Sequence, residues 1–227
     1  MRPVYDNKPK LLLIGSSGHA SVLVDAIELA RHYRVMGYLD DTLARGTVRR
    51  GYPVLGRIDE AAAVCADQLI TAAVIAIGDN WWRRKVYLDL AREGLEFPVV
   101  KHPSAAIART AEIGKGTAIL ACSHVGPGSQ VGEFCILNTR SSIDHDCSMR
   151  DFASIAPGVS TGGLVRIGEC SAIGVGASVS DRISIGSHSV VGTGAVVVRD
   201  IPDLVVAYGN PAKAKRSREE GEAYLKT

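Results

Sequence analysis

Asp144-His145-Asp146 is the densest group of chemically competent side chains in the sequence. A carboxylate on each side of an imidazole raises its basicity and can fix its tautomer, which prepares His145 as a general base. A second group lies near the N-terminus. Gly15-Ser-Ser-Gly18-His19-Ala20 follows the apolar run Leu11–Ile14 and precedes residues with helical spacing from Ser21 to Ala30. A strand, a Gly-rich turn and a helix N-terminus together aim backbone N–H groups at one point, which suits a phosphate. The turn reads G-x-x-G-x-A and not G-x-G-x-x-G, so by itself it is equally a tight corner. Asp40-Asp41 closes the next apolar run, Val35–Leu39, where a carboxylate in a nucleotide fold reaches ribose or base donors. Gly78-Asp79-Asn80 closes a third, Ala72–Ile77.

The elements that must position these groups differ between the two halves. Residues 1–100 read as a small parallel α/β domain, Rossmann-like, with a further strand at 97–100 and helices near 59–66 and 81–93. From Ile107 every sixth residue through Val197 is apolar except Thr161. The position four further on, from Ala111 to Ile201, is always small or β-branched. Both columns must face inward. A small or turn-forming residue, most often Gly, follows the apolar one, as expected where a chain corners after each short strand. A period of six excludes an amphipathic helix and marks a solenoid, the parallel β-helix of hexapeptide repeats. We assign it to residues 101–213, with 214–227 as a tail whose basic cluster, Lys213 to Arg218, reads as a solvated end.

The register converts sequence distance into contact. If three hexapeptides make a coil, residues eighteen apart stack. Gly163 then lies beside His145, which sets a backbone N–H next to a base, as acyl transfer requires. A bare scaffold remains open at this point, since fold alone does not give function. An ice-binding face is disfavoured, because the outward positions carry Lys115, Arg140, Arg150 and Arg182 and not a Thr ladder.

Composition narrows the function classes. The net charge of +2, from 26 basic and 24 acidic residues, offers no field for nucleic acid or membrane. No His set has the one-coil spacing of a metal site, and Cys65, Cys122, Cys135, Cys147 and Cys170 form no CxxC pair; they read as reduced packing residues. Residues 1–10 lack the apolar core of a signal peptide, and no run approaches the roughly 20 apolar residues of a membrane span, so a cytoplasmic protein is expected.

The motifs GSSGHA at 15–20, Tyr38-Leu-Asp-Asp41, Ile77-Gly-Asp-Asn80, His102-Pro103, Leu137-Asn-Thr139, Ile143-Asp-His-Asp146 and Gly209-Asn-Pro-Ala-Lys213 occur in one order. In that order the chain resembles the hexapeptide-repeat sugar O-acyltransferases of the sialic acid O-acetyltransferase type. It is most similar to the N-acetyltransferases of nucleotide-linked 4-amino-4,6-dideoxy sugars, such as the bacillosamine pathway enzyme. The resemblance implies a left-handed β-helix, acetyl-CoA as co-substrate, no metal, and a homotrimer with the coenzyme A groove between subunits. It implies His145 as base, Asp146 as its support and the Gly163 N–H facing the thioester. Ser17, Gly18, His19, Asp40, Asp41 and Gly78 would hold the nucleotide sugar. Val175 and Thr193 would line the coenzyme A groove, and Ser154 stands where some relatives place a second His near acetyl-CoA. Two other readings stay open: O-acetylation of a sialic-acid-like sugar, and a non-catalytic nucleotide-sugar sensor.

Overall fold

The computed structural model describes residues 7–225; the opening residues read above as lacking a signal peptide lie mostly outside that range, as do the last two. Lys10–Ile14 (β1) is buried from Leu11 onward because helices cover both faces of its sheet. The first helix, Gly18–Ala30 (α1), starts directly from the Gly-rich turn and ends where Arg31 turns left-handed at φ 59° and donates to the Ile27 carbonyl. Arg34–Leu39 (β2), Val48–Arg49 (β3), Tyr52–Gly56 (β4) and Ala72–Ile75 (β5) complete a sheet of order β3-β4-β2-β1-β5. Helices Ala61–Gln68 (α2) and Asn80–Leu90 (α3) supply the side chains of the core on the face opposite α1.

Two expectations change here. The hairpin β3–β4, whose second strand pairs in parallel with β2, has no counterpart in the sequence reading, because β3 is only two exposed residues long. The strand expected at 97–100 does not join this sheet. Glu96 makes a single bridge to Ala72, and Val100–Lys101 instead pairs with Ala118–Ile119 as the first strand of the β-helix.

From there two-residue strands alternate with four-residue links, whose two central residues turn the corner, and stack into three sheets, the faces of a prism, parallel except for the last pair of the longest. The serine face comprises 106–107, 124–125, 142–143, 160–161, 178–179 and 196–197, and presents Ser142, Ser160 and Ser178 outward. The charged face carries Glu112, Gln130 and Arg166 outward. The long face has eight strands, from Val100–Lys101 to Ala212–Ser217. Partners lie eighteen residues apart through Val197, as in His124↔Ser142 and Ser154↔Ala172, and sixteen apart in the last coil, where Ile201 bridges Ile185 and Val206 pairs with Val190, so Ile201 leaves the expected inward column. Both inward columns are buried as the period requires, except that Ile107, Ala111 and Ile113 in the first coil are only partly buried. The polar members of the second column are satisfied by the coils themselves: Ser129 Oγ donates to the Asp144 carbonyl at 2.7 Å and accepts from the Cys147 N–H at 3.0 Å.

The glycine pattern has a different cause from the one its position suggests. Left-handed φ occurs at the second corner residue, at Cys122, Phe134, Arg140, Asp146, Phe152 and Leu164 among others. The Gly that follows the apolar residue is needed for close stacking: a Cβ on Gly126 would lie 2.5 Å from the Asp144 carbonyl carbon. The expected tail is corrected too. Its start is the antiparallel edge strand Ala212–Ser217, paired to Val205–Gly209, and Arg218 is buried. Cys122 is exposed, unlike the other four cysteines, so it is not a packing residue.

The α/β domain docks on the corner between the charged and long faces. Phe134 and Phe152, one coil apart, stack with ring centroids 5.3 Å apart, and Tyr87 of α3 sits 4.1 Å from Phe134. Arg83 is buried between the halves with every guanidinium donor used. Nε and Nη2 donate to the Phe134 and Phe152 carbonyls of the β-helix, both at 2.8 Å. Nη1 serves Ile77 and Gly78, and Nη2 also serves Asn80 Oδ1. Asn80 Nδ2 in turn donates to the Cys170 and Ser171 carbonyls. A planar fork with five donors suits such a cradle of carbonyls.

Candidate active site

His145 stands on the corner between the serine and charged faces. Asp144 Oδ1 accepts the His145 N–H at 2.8 Å, and His145 Nδ1 lies 2.8 Å from Asp146 Oδ2. Asp146 holds the left-handed φ of 54° that a short polar residue tolerates. Gly128, one coil earlier, leaves room for that carboxylate: a Cβ there would meet Asp146 Oδ1 at 2.5 Å. The Asp146 bond, opposed by partial desolvation and reinforced by the Asp144 charge, raises the His145 pKa above its usual value. With Nδ1 committed to Asp146, Nε2 is the nitrogen left to take a proton.

The stacking arithmetic holds at atomic detail. A Cβ on Gly163 would lie 2.4 Å from His145 Nε2, so the imidazole rests on a bare Cα. The Gly163 carbonyl accepts from Arg182, while its N–H takes no partner among the described residues.

The other expected residues divide between two clefts. One of about 680 Å³ lies between α1, the long face and the corner that leads to the serine face. Gly18, His19 and Gly78 line it from the α/β side, and Ser154, Val175 and Thr193 from the β-helix, so expected sugar-binding and coenzyme-binding residues meet there. His19 Nε2 is buried without a protein partner; burial, and secondarily the Arg83 guanidinium, push its pKa down to about 3, so the ring is neutral. Ser17, exposed at the start of α1, makes no capping bond and does not line this cleft. Asp41 opens instead on a second cleft of about 410 Å³ with Arg57, Trp82 and Lys85, and its Oδ1 accepts the Ile58 N–H at 3.0 Å.

Asp40 does not fit the ligand-binding role. Oδ2 accepts from Ser16 N–H and Oγ, and Oδ1 from Thr42 N–H and Oγ1 and from Leu43 N–H. Burial alone would raise this carboxyl, but the bonds from Ser16 and Thr42 outweigh it and bring the pKa to about 2. Its acceptor capacity is spent within the protein, so Asp40 ties the Gly-rich turn to the end of β2.

Three residues escaped the sequence reading. Arg83 looks like any helix-surface arginine. Asp79, seen only as part of a turn, caps α3 through Oδ1 and has Oδ2 buried without a partner. Tyr224 reaches the first cleft from the C-terminal segment. The one available signal was Phe134 and Phe152, large apolar residues eighteen apart at an outward corner.

A small parallel sheet fronting a hexapeptide β-helix, with an acid-supported His over a bare glycine, defines the class of hexapeptide-repeat sugar acyltransferases. Residues 10–90 match the family described as the PglD N-terminal domain. The acetyltransferase domain of PglB from Neisseria gonorrhoeae FA1090, solved with acetyl coenzyme A, is 35% identical, with a TM-score of 0.86 over 92% of this chain and 100% of that one. PerB from Caulobacter crescentus, solved with CoA and GDP-perosamine, is 34% identical, with a TM-score of 0.86 over 91% and 97%. GDP-perosamine N-acetyltransferase of Escherichia coli O157:H7 is 30% identical over 137 residues, which is 60% of the chain and 60% of that enzyme. The chain belongs to the nucleotide-linked amino-sugar N-acetyltransferase family, and its fold is an α/β domain followed by a left-handed parallel β-helix.

Proposed function

We propose that the protein transfers the acetyl group of acetyl-CoA to the amine of a nucleotide-linked amino sugar, as a homotrimer acting in the cytoplasm on a route to a surface glycan. The observation that carries this is His145, tied through Nδ1 to Asp146 and resting on Gly163. The amine attacks the thioester carbonyl carbon and passes its proton to His145 Nε2. Asp146 stabilises the imidazolium, and the Gly163 N–H donates to the tetrahedral oxyanion. Collapse of that intermediate breaks the C–S bond, and the departing thiolate takes a proton back. Relatives bound to acetyl-CoA, or to CoA with GDP-perosamine, support both substrates.

The serine face is bordered on one side by the His145 corner and on the other by the corner that carries Val175 and Thr193. A base and a coenzyme groove at opposite edges of one face come together when copies pack cyclically, the His145 corner of one against the cleft of the next. The exposed residues of that face, Ala106, His124, Ser160 and Ser178, include three small ones, which permit close approach.

The test is a panel of nucleotide-linked amino sugars with acetyl-CoA, read as thiol release. At least one should turn over, with the product acetylated on nitrogen. Release that requires a sugar hydroxyl in place of an amine would sink the proposal.

A further inference from the structure

The C-terminal segment beyond the long face forms part of the inter-domain cleft, although it belongs neither to the repeat nor to the α/β domain. After the edge strand ends at Ser217, the buried Arg218 side chain donates to the His188 carbonyl at 2.8 Å and to the Glu222 carbonyl. Arg216 Nη2 holds the Glu222 carboxylate at 2.7 Å. Gly221, at φ +80°, passes so close to Trp81 that a Cβ would lie 2.9 Å from its ring. These ties deliver Tyr224 into the cleft. Its hydroxyl donates to the Gly78 carbonyl at 3.1 Å and lies 3.3 Å from Ser154 Oγ. Gly78 belongs to the edge of the α/β sheet and Ser154 to the long face, so one phenol spans both halves of the cleft.

Much of the remaining lining is aliphatic or glycine, including Ile136, Ile155, Ile173, Gly174 and Val191. In such a cleft a few fixed polar groups decide how a long ligand lies. An aromatic ring with a hydrogen-bonding tip supplies both wall and anchor. We infer that Tyr224 is a positioning residue for the acyl donor and the nucleotide sugar: its ring closes one wall, and its hydroxyl fixes Gly78 and Ser154 at the spacing the two ligands need. The inference rests on the reading of this cleft as the site of acetyl-CoA and the nucleotide sugar.

The experiment compares full-length wild type with Tyr224→Phe and Tyr224→Ala, using CoA itself in calorimetry, steady-state kinetics and thermal melts. Tyr224→Phe, which removes the hydroxyl's bonds to Gly78 and Ser154, should weaken CoA binding and raise the acetyl-CoA KM by about threefold to tenfold. Its kcat should stay within about twofold, since uniform binding and not the transition state is affected. Tyr224→Ala should lose more of both affinities. CoA affinity and both KM values unchanged in the two variants would overturn the inference, and so would a lowered Tm with unchanged KM, which marks a purely structural role. A wild type that binds no CoA would overturn the parent reading as well, which separates the two failures.

Discussion

In the β-helix a residue's neighbours follow from a fixed step of eighteen, whereas in the α/β domain they depend on how each loop leaves the sheet. The consequence is visible in two pairs. His145 and Gly163, far apart in sequence, are in contact because the coils stack. Asp40 and Asp41, adjacent in sequence, do unlike things: one is spent on Ser16, Thr42 and Leu43, and the other opens on a cleft beside Arg57. A solenoid makes site geometry a matter of counting. An open sheet leaves it to hydrogen bonds that no spacing reveals.

The largest expected effect tests the counted site. His145→Ala should lower kcat by roughly 10² to 10⁴ with KM little changed, measured as initial rates of thiol release. A variant with near-normal kcat would break the assignment of the base. The joint between the two regions comes next. Arg83→Met leaves several buried carbonyls without donors and should cost about 3 kcal/mol or more, seen as a lower denaturant midpoint. A change under about 0.5 kcal/mol, the range of ordinary surface substitutions, would mean that the packing of Tyr87 on Phe134 and Phe152 holds the halves without Arg83.

The paired aspartates sharpen the contrast further. Asp40→Ala should destabilise by about 1–3 kcal/mol through the donors it strands, while Asp41→Ala should leave stability nearly unchanged and raise the nucleotide-sugar KM. Equal losses of stability would erase the distinction. The pH dependence of Asp40 carries the same sign. Its folded pKa of about 2 lies below the ordinary 3.8, so its contribution is present above about pH 3.8 and is lost as pH falls toward 2.

The smallest expected effect concerns the tuning of His145. Its pKa is raised by Asp146 above the usual 6.5, and the base must be neutral to act, so kcat/KM should rise with pH through a limb above that value. Asp146→Asn should move this limb to lower pH and lower the plateau by about tenfold, because the weakened base accepts the proton less readily. A limb that stays in place would show that Asp146 does not set the basicity of His145.

The fold of the β-helix was legible because two inward columns repeat without a slip from Ile107 to Val197; the two-residue slip that moves Ile201 beside Ile185 was not, since Ile201 is apolar in either register. The same register exposed His145 as an outward residue and Gly163 as its neighbour. The hairpin β3–β4 was not legible, since Val48–Arg49 carries no alternation and Tyr52–Gly56 contains Pro53. Val100 was misassigned because a short apolar run does not say which of two sheets it will join. Arg83 and Tyr224 were invisible for a common reason. Both act through long-range bonds to backbone carbonyls, and a carbonyl has no letter in the sequence.

The proposed mechanism requires a composite site, the His145 corner of one copy serving the cleft of the next. Co-expressing His145→Ala with a groove-filling Val175→Trp chain tests it, since each variant alone should be nearly inactive. Random mixing into trimers pairs an intact base with an intact groove at about one site in four, so about a quarter of wild-type activity should return. Mixed trimers no more active than the two separate variants would show that base and groove belong to a single chain and would contradict the account.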